Sequence, residues 1–503
     1  MASTDAATAW EYHNRTKHTY QSVHSGSGGL DWANQPLPYK VYTEIEPIPL
    51  PQPAAPDTPS ALEAIAGVTQ ASPRALAVPD RATLAALLHY SAGITKTIRY
   101  PGGEMPFRAA SCTGALYHID LYLVCGGLPD LEVGVYHFGV QDHALRRLRE
   151  GDYRAVVVRA TAGETAVAAA PAVLVAASTY WRNAWKYRER AYRHCFWDAG
   201  TILANLLAMT VALDLPARLT LGFADHAVNG LLGLDEQREG ALAVIALGSS
   251  QGPQGPAPAV TPLSPVTAPL SPSEVDYPAI REMHAASSLD DEDAVRAWRA
   301  GGAPQRVEPA GPIPLRPLTD LPDDGVPAVV QRRGSSRRFA RDPITFDQLS
   351  TMLVRSTGAI PAGLMGGLND LYLIVSAVEG LESGAYFYHR GAQTLELLKS
   401  GDFRSEAGHL GLDQALPADA AVNIYYMADL RPIFDRRGNR GYRAAQLEAG
   451  IMGGKLYLAS YALRLGATGL TFYDDEVTGF FSPHAAGKSP MFLMAAGLPA
   501  RRS

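Results

Sequence analysis

The sequence repeats itself. Asp120–Val124 (DLYLV) returns as Asp370–Ile374 (DLYLI), and Gly134 and Tyr136 return as Gly384 and Tyr386. His143–Arg154 (HALRRLREGDYR) returns as Gln393–Arg404 (QTLELLKSGDFR), and Asp198-Ala-Gly as Glu448-Ala-Gly. Each pair lies 250 positions apart. One offset held across so many segments is a tandem duplication, and it requires two copies of a single folding unit.

Each unit reads as α+β. The runs LYHIDLYLV, RAVVVRA, AAVNIYYMAD and GALAVIALG are β-branched or alternating and predict strands. DAGTILANLLAMTVALDL and EAGIMGGKLYLASYALRLG predict long buried helices, each opening on an acid suited to the positive end of the helix dipole. Between the copies, SSQGPQGPAPAVTPLSPVTAPLSPSE is Pro/Ser/Gly-rich and predicts a linker, and a second Pro-rich tract, EPIPLPQPAAPDTPS, precedes the first copy. The polar segment YHNRTKHTYQSVHSGSGGLDW shows no periodicity, and Tyr277–Leu321 resembles neither copy. The expected division is a leader and Pro-rich segment over 1–59, a first domain over 60–249, a linker and wrapping segment over 250–325, and a second domain over 326–503.

At 503 residues, 47% hydrophobic and 19% charged, the chain can bury two cores. A net charge of -6 without a Lys/Arg run argues against nucleic acid as a partner. Three cysteines make no disulfide framework or zinc motif, and no apolar run approaches membrane-spanning length, so a reducing cytoplasm is the expected compartment.

Two stretches carry chemistry. In QRRGSSRRFARD, Arg333, Ser335 and Arg337 precede a helical pattern and would make an anion site. WKYRERAYRHCFWDAG, from Trp185, matches DRRGNRGYRAAQLEAG, from Asp435, but only the first holds Lys186 and Tyr187, where the second has Arg436 and Arg437. Asp198 reads as a helix-terminal charge, His118 and His137 as strand residues, and Cys112 and Cys195 as thiols without a histidine partner.

The motif Arg-x-Ser-x-Arg-x-Phe, followed by an apolar helix and a GLTFYDDEV-type turn, resembles the nitroreductase family. Within it, the leader YHNRTKH, the loop SCTGALYHIDLYLV, the Lys-Tyr segment and the ending LGFADHAVNGLLGLDEQREGALAVIALG are similar to the azoline dehydrogenase (SagB/ThcOx) branch. The resemblance implies FMN as cofactor and two nitroreductase-like domains forming an internal pseudo-dimer, with flavin held between the copies. It implies that Arg333, Ser335, Arg337 and Arg501 grip the phosphate, that Ser111, Thr113, Gly114 and Ala115 (in SCTGA) cover the flavin, and that the turn at Thr471–Phe472 approaches its N5.

The first copy has Gln70, Ser72 and Arg74 at the phosphate motif and lacks a basic ending, while the second has only PAGLMGGLN for the covering loop. The intact halves are complementary, so a single composite site is expected. There Lys186 would take the Cα proton of a thiazoline or oxazoline, its burial beside Arg182, Arg188 and Arg190 depressing its pKa, with Tyr187 sharing that proton or orienting the ring. The implied substrate is a peptide or carrier-bound azoline, supplied by a cyclodehydratase or synthetase partner. The rival readings are an NAD(P)H-dependent nitro or quinone reductase and a flavin-free scaffold of a biosynthetic complex.

Overall fold

The computed structural model describes residues 6–500 except 26–28, 54, 57, 69–75, 102, 254, 303–309 and 363–365. Two seven-stranded antiparallel sheets have the same strand order. The first runs Ile48–Pro49, Ala144–Glu150, Gly134–Gly139, Ile119–Cys125, Ala172–Thr179, Glu239–Leu247, Ala217–Thr220. The second runs Ile313–Pro314, Thr394–Ser400, Gly384–His389, Asp370–Val375, Val422–Ala428, Ser489–Gly497, Gly466–Leu470. Even the bulges recur, at Val135/Tyr136 and Ala385/Tyr386 and again at Ala176/Ala177 and Tyr426/Met427. Bulges re-aim a strand at a fixed point, so their repetition shows that the duplication copied geometry as well as pattern.

Each copy contributes one long helix, Ala191–Ala212 and Arg440–Ala462, and the two pack against each other at the centre. They cross where both copies place glycine: a Cβ on Gly200 would lie 2.5 Å from the carbonyl carbon of Gly450, and one on Gly450 would lie 2.8 Å from the Phe196 oxygen. Only backbone hydrogens fit there. Around the crossing, buried ion pairs reach across in both directions. Arg190 and Arg193 of the first copy hold Asp474 at 2.9 and 2.7 Å, and Arg440 and Arg443 of the second hold Asp225 at 2.5 and 2.6 Å. Burial alone would raise these carboxyl pKa values, but the paired guanidiniums hold both groups below the usual carboxylate range. This reciprocity is the signature of a two-fold interface, here contained in one chain.

Several expectations are corrected. RAVVVRA is a helix, Arg154–Ala160, because Asp152 accepts from the Arg154 backbone N–H at 3.0 Å and buries Val156, Val157 and Ala160 on one face. Neither acid opens its helix: Asp198 and Glu448 lie well inside Ala191–Ala212 and Arg440–Ala462. The segment Tyr180–Ala212 is long and apolar enough to cross a membrane by composition, but its apolar window is 89% buried inside the protein.

The leader and the wrapping segment are also counterparts. The leader forms a helix, Ala7–Arg15, burying Ala9, Tyr12 and His13 at helical spacing. Arg193 donates to the His13 carbonyl (2.6 Å) and Thr16 Oγ1 (3.0 Å), and the His18 N–H reaches Asp474 (2.8 Å). In the same pattern, Arg443 donates to the His284 carbonyl (2.6 Å) and Ser287 Oγ (2.7 Å), and the Leu289 N–H reaches Asp225 (2.9 Å). The matched residues stand 271 positions apart, His13 with His284 and Thr16 with Ser287.

Candidate functional site

The Lys-Tyr pair ends the helix Tyr180–Tyr187. The next residue, Arg188, adopts φ 49° and ψ -135°, a conformation the second copy assigns to Gly438 (φ 55°, ψ -154°). A side chain at such a position stores roughly 1–3 kcal/mol of backbone strain, and strain of this kind gathers at functional sites. Lys186 folds back so that its Nζ lies 5.3 Å from the centre of the Tyr187 ring, and Tyr187 meets the His194 ring edge-on at 4.7 Å. Lys186 is not buried as expected. Its side chain is exposed, Arg182 is paired with Asp120, and Arg190 with Asp474.

Tyr187 looks onto the SCTGA loop. Gly114 has φ 67°, and a Cβ there would stand 2.8 Å from the Tyr187 hydroxyl. The loop is fastened from below by Asp198, which accepts from the Thr113 N–H (3.0 Å), Thr113 Oγ1 (2.9 Å), Cys112 Sγ (3.2 Å) and His118 Nε2 (2.8 Å). Thr201 binds the Ser111 carbonyl at 2.7 Å, and Asn183 the Thr113 carbonyl at 3.3 Å. The cavity behind the loop, lined by Ser111, Cys112, Tyr117 and Asp198 among others, measures only ≈ 10 Å³. That is room for one water at most, so the loop rests on a filled core. Ala115 completes the turn with φ 54°.

The second copy meets this loop with its Arg-Ser-Arg motif. Arg333 donates to the Arg108 and Ala109 carbonyls at 3.0 and 2.9 Å, immediately before SCTGA. Ser335 pairs with the Tyr457 hydroxyl at 3.2 Å, and Arg337 is exposed, with its charge acting on Tyr187. Arg333 and Ser335 both stand at Tyr457, the guanidinium 5.6 Å from its ring centre, while the Arg333 N–H groups are spent on main-chain carbonyls and tie the copies together. At the turn, Phe472 is buried with the Arg190 guanidinium 5.4 Å from its ring centre, and Thr471 Oγ1 is buried with no hydrogen-bond partner among the described residues. Gln70, Ser72, Arg74, Arg501 and Arg502 lie outside the described residues.

Burial first, then Asp198 and Cys112, push the Tyr187 phenol pKa up, while Arg337 opposes the shift. Burial and Asp198 likewise raise the Cys112 thiol well above its ordinary value, which argues against a nucleophile. Sequence reasoning missed the Cys112–His118–Asp198 cluster, whose ligand-type atoms lie within 4.8 Å of one another. Nothing in the spacing announces it, because a loop, a strand entry and a helix interior meet only in the fold.

A doubled α+β unit, in which a strained helix end and a glycine turn of one copy are set beside the Arg-Ser-Arg motif of the other, frames the candidate cleft. The family model described as the nitroreductase family matches residues 109–249 and 330–488. The chain belongs to that family and is an oxidoreductase of it. It is similar over 99% of its length to the whole of a putative nitroreductase from Anabaena variabilis, at 26% identity and a TM-score of 0.77. A putative nitroreductase of Methanocaldococcus jannaschii is 25% identical over 133 residues, 26% of this chain and 67% of that protein. A chain of the E. coli microcin synthetase McbBCD complex matches at 18% identity and a TM-score of 0.31, covering 48% of this chain and 92% of that one, a likeness of fold alone.

The family generally uses flavin, and the residues of this cleft fit FMN. The buried Thr471 hydroxyl, without a hydrogen-bond partner among the described residues, offers a polar contact, and Arg337 and Ser335 offer a cation and a hydroxyl for a phosphate.

Proposed function

We propose that the protein is an FMN-dependent dehydrogenase that oxidises thiazoline or oxazoline rings, in a peptide or carrier-bound precursor, to thiazole or oxazole. The supporting observation is the placement of Lys186 over Tyr187, beside the loop of the first copy and within the field of Arg337 from the second. Ring oxidation removes a proton from Cα and a hydride from the adjacent carbon. FMN, when bound, would supply the hydride acceptor, with dioxygen as the final oxidant.

The chain supplies the rest. Lys186 is the base for the Cα proton. A lysine in water is protonated at neutral pH, and burial favours its neutral amine, so this role requires the substrate itself to cover the exposed side chain. Tyr187, held protonated by burial and by Asp198, donates its hydrogen bond and orients the ring rather than sharing the proton. Arg436, at the mirror position, cannot serve as a base. The substrate implies a cyclodehydratase or synthetase partner that makes the azoline.

The test is incubation of the purified chain with an azoline-bearing peptide in air, followed by mass spectrometry. A two-dalton loss on the heterocycle is expected. Inertness toward azolines together with rapid bleaching by NADPH and a nitroarene would instead establish a nitro or quinone reductase. A colourless protein that takes up no FMN would establish a scaffold.

A further inference from the structure

The two-fold relation generates a second cleft, built from the first copy's turn at Gly222–Phe223 and the second copy's Arg436 and Arg437. Its contents differ from those of the first. The helix Glu292–Ala300 lies over it and buries Trp298. The Trp298 ring packs on Gly222, where a Cβ would come within 3.3 Å of two ring carbons. The indole N–H of Trp298 donates to the Arg437 carbonyl at 3.2 Å, and the Arg437 guanidinium lies 5.3 Å from the ring centre. Arg437 also donates to the Gly302 carbonyl at 2.5 Å, and a Cβ on Gly301 would lie 2.6 Å from the Arg436 carbonyl oxygen. On the long helix, Lys455 is buried against the Gly358 and Ala359 carbonyls at 3.3 and 2.9 Å. Ala359 is the counterpart of Ala109, which Arg333 binds in the first cleft.

We infer that the helix Glu292–Ala300 is a built-in plug whose Trp298 ring takes the place of a flavin ring in the second cleft, so that the chain holds one FMN. Trp298, stacked between a cation and a bare glycine turn, makes the contacts an aromatic cofactor would make there. In the first cleft the corresponding turn carries the Thr471 hydroxyl, which has no hydrogen-bond partner among the described residues. The leader counterpart of the plug is the short helix Tyr20–His24, followed by a Gly/Ser run (SGSGG) that offers no aromatic side chain. The second cleft therefore does not fit FMN, and its residues brace the two copies.

This inference rests on the FMN assignment but not on azoline chemistry. Flavin-stripped full-length chain is titrated with FMN, and bound flavin per polypeptide is measured alongside amide hydrogen exchange. One FMN per chain is expected, with protection gained at Thr113–Ala115 and Thr471–Phe472 and no change in Glu292–Ala300. Trp298→Gly should speed exchange at Leu221–Phe223, whereas Trp298→Phe should leave it at the parental rate. Two FMN per chain, or faster exchange in Glu292–Ala300 when FMN is added, would overturn the plug and leave the proposed activity standing. Parental exchange at Leu221–Phe223 in a folded Trp298→Gly would also overturn it. No FMN uptake at all would sink both.

Discussion

The two copies are most alike where they touch and most different where they would bind. At the centre, the pairs Arg190/Arg193 with Asp474 and Arg440/Arg443 with Asp225 are near superpositions of one another, down to the carbonyls each arginine also binds. At the clefts, Lys186, Tyr187 and Arg188 face Arg436, Arg437 and Gly438 as unequal partners. The helix crossing admits no side chain at either glycine, so both copies must keep it. A cleft used once need be kept only once, and the other can be filled.

If that comparison is right, mirror-image substitutions in the core should cost alike. Asp474→Asn and Asp225→Asn each leave two buried guanidiniums under-paired, and each should lower stability by about 3–5 kcal/mol in chemical denaturation. A large loss from one and little from the other would break the two-fold picture.

Acid should act on both copies in two stages. Burial, reinforced by Arg193 and Arg443 respectively, depresses the pKa of His13 and His284, so both are neutral in the folded protein. A group whose folded pKa is lowered favours the folded state above its unfolded pKa. Stability should therefore begin to fall as the pH drops below about 6.5, the unfolded histidine value. A steeper loss should begin below about pH 4 as Asp225 and Asp474 are drawn toward protonation. Replacing both histidines with glutamine should make the first stage shallower, with His18, His137 and His194, also depressed by burial, carrying the rest of it, and should leave the second. Unfolding midpoints measured between pH 3 and 8 report both stages.

The smallest expected effect sharpens the comparison at the clefts. Arg188→Gly relieves a left-handed backbone position and should gain up to about 1 kcal/mol, while Gly438→Ala creates the same strain and should lose about 1 kcal/mol or more. If Arg188→Gly gains stability while slowing turnover, the strain serves to aim Lys186 and Tyr187.

Much of the fold was legible because the offset of 250 links residues that no single run would connect, and strand patterns such as DLYLV and DLYLI were read where they lie. The leader and Tyr277–Leu321 were not recognised as counterparts. Their shared contacts rest on a backbone carbonyl, a hydroxyl that can be Thr or Ser, and a spacing of 271 rather than 250. The SCTGA loop and the Lys-Tyr pair stand out by motif, and the fold sets Gly114 of that loop against the Tyr187 hydroxyl. Arg333 was read as a phosphate ligand, but in the fold it binds main-chain carbonyls across the copies, and no sequence pattern encodes which carbonyls will be near. Trp298 had no signal at all, since an aromatic residue in an amphipathic helix ordinarily means core packing.

The central claim is that one cleft works and its mirror does not. The most direct measurement is flavin reduction by an azoline peptide under anaerobic single-turnover conditions, in Lys186→Ala and Arg436→Ala side by side, with bound flavin quantified in each. With flavin retained in both, Lys186→Ala should slow reduction by ~100-fold or more, the scale of removing a general base, and Arg436→Ala should match the parent. Equal rates in the two variants, whether both slow or both parental, would contradict the account.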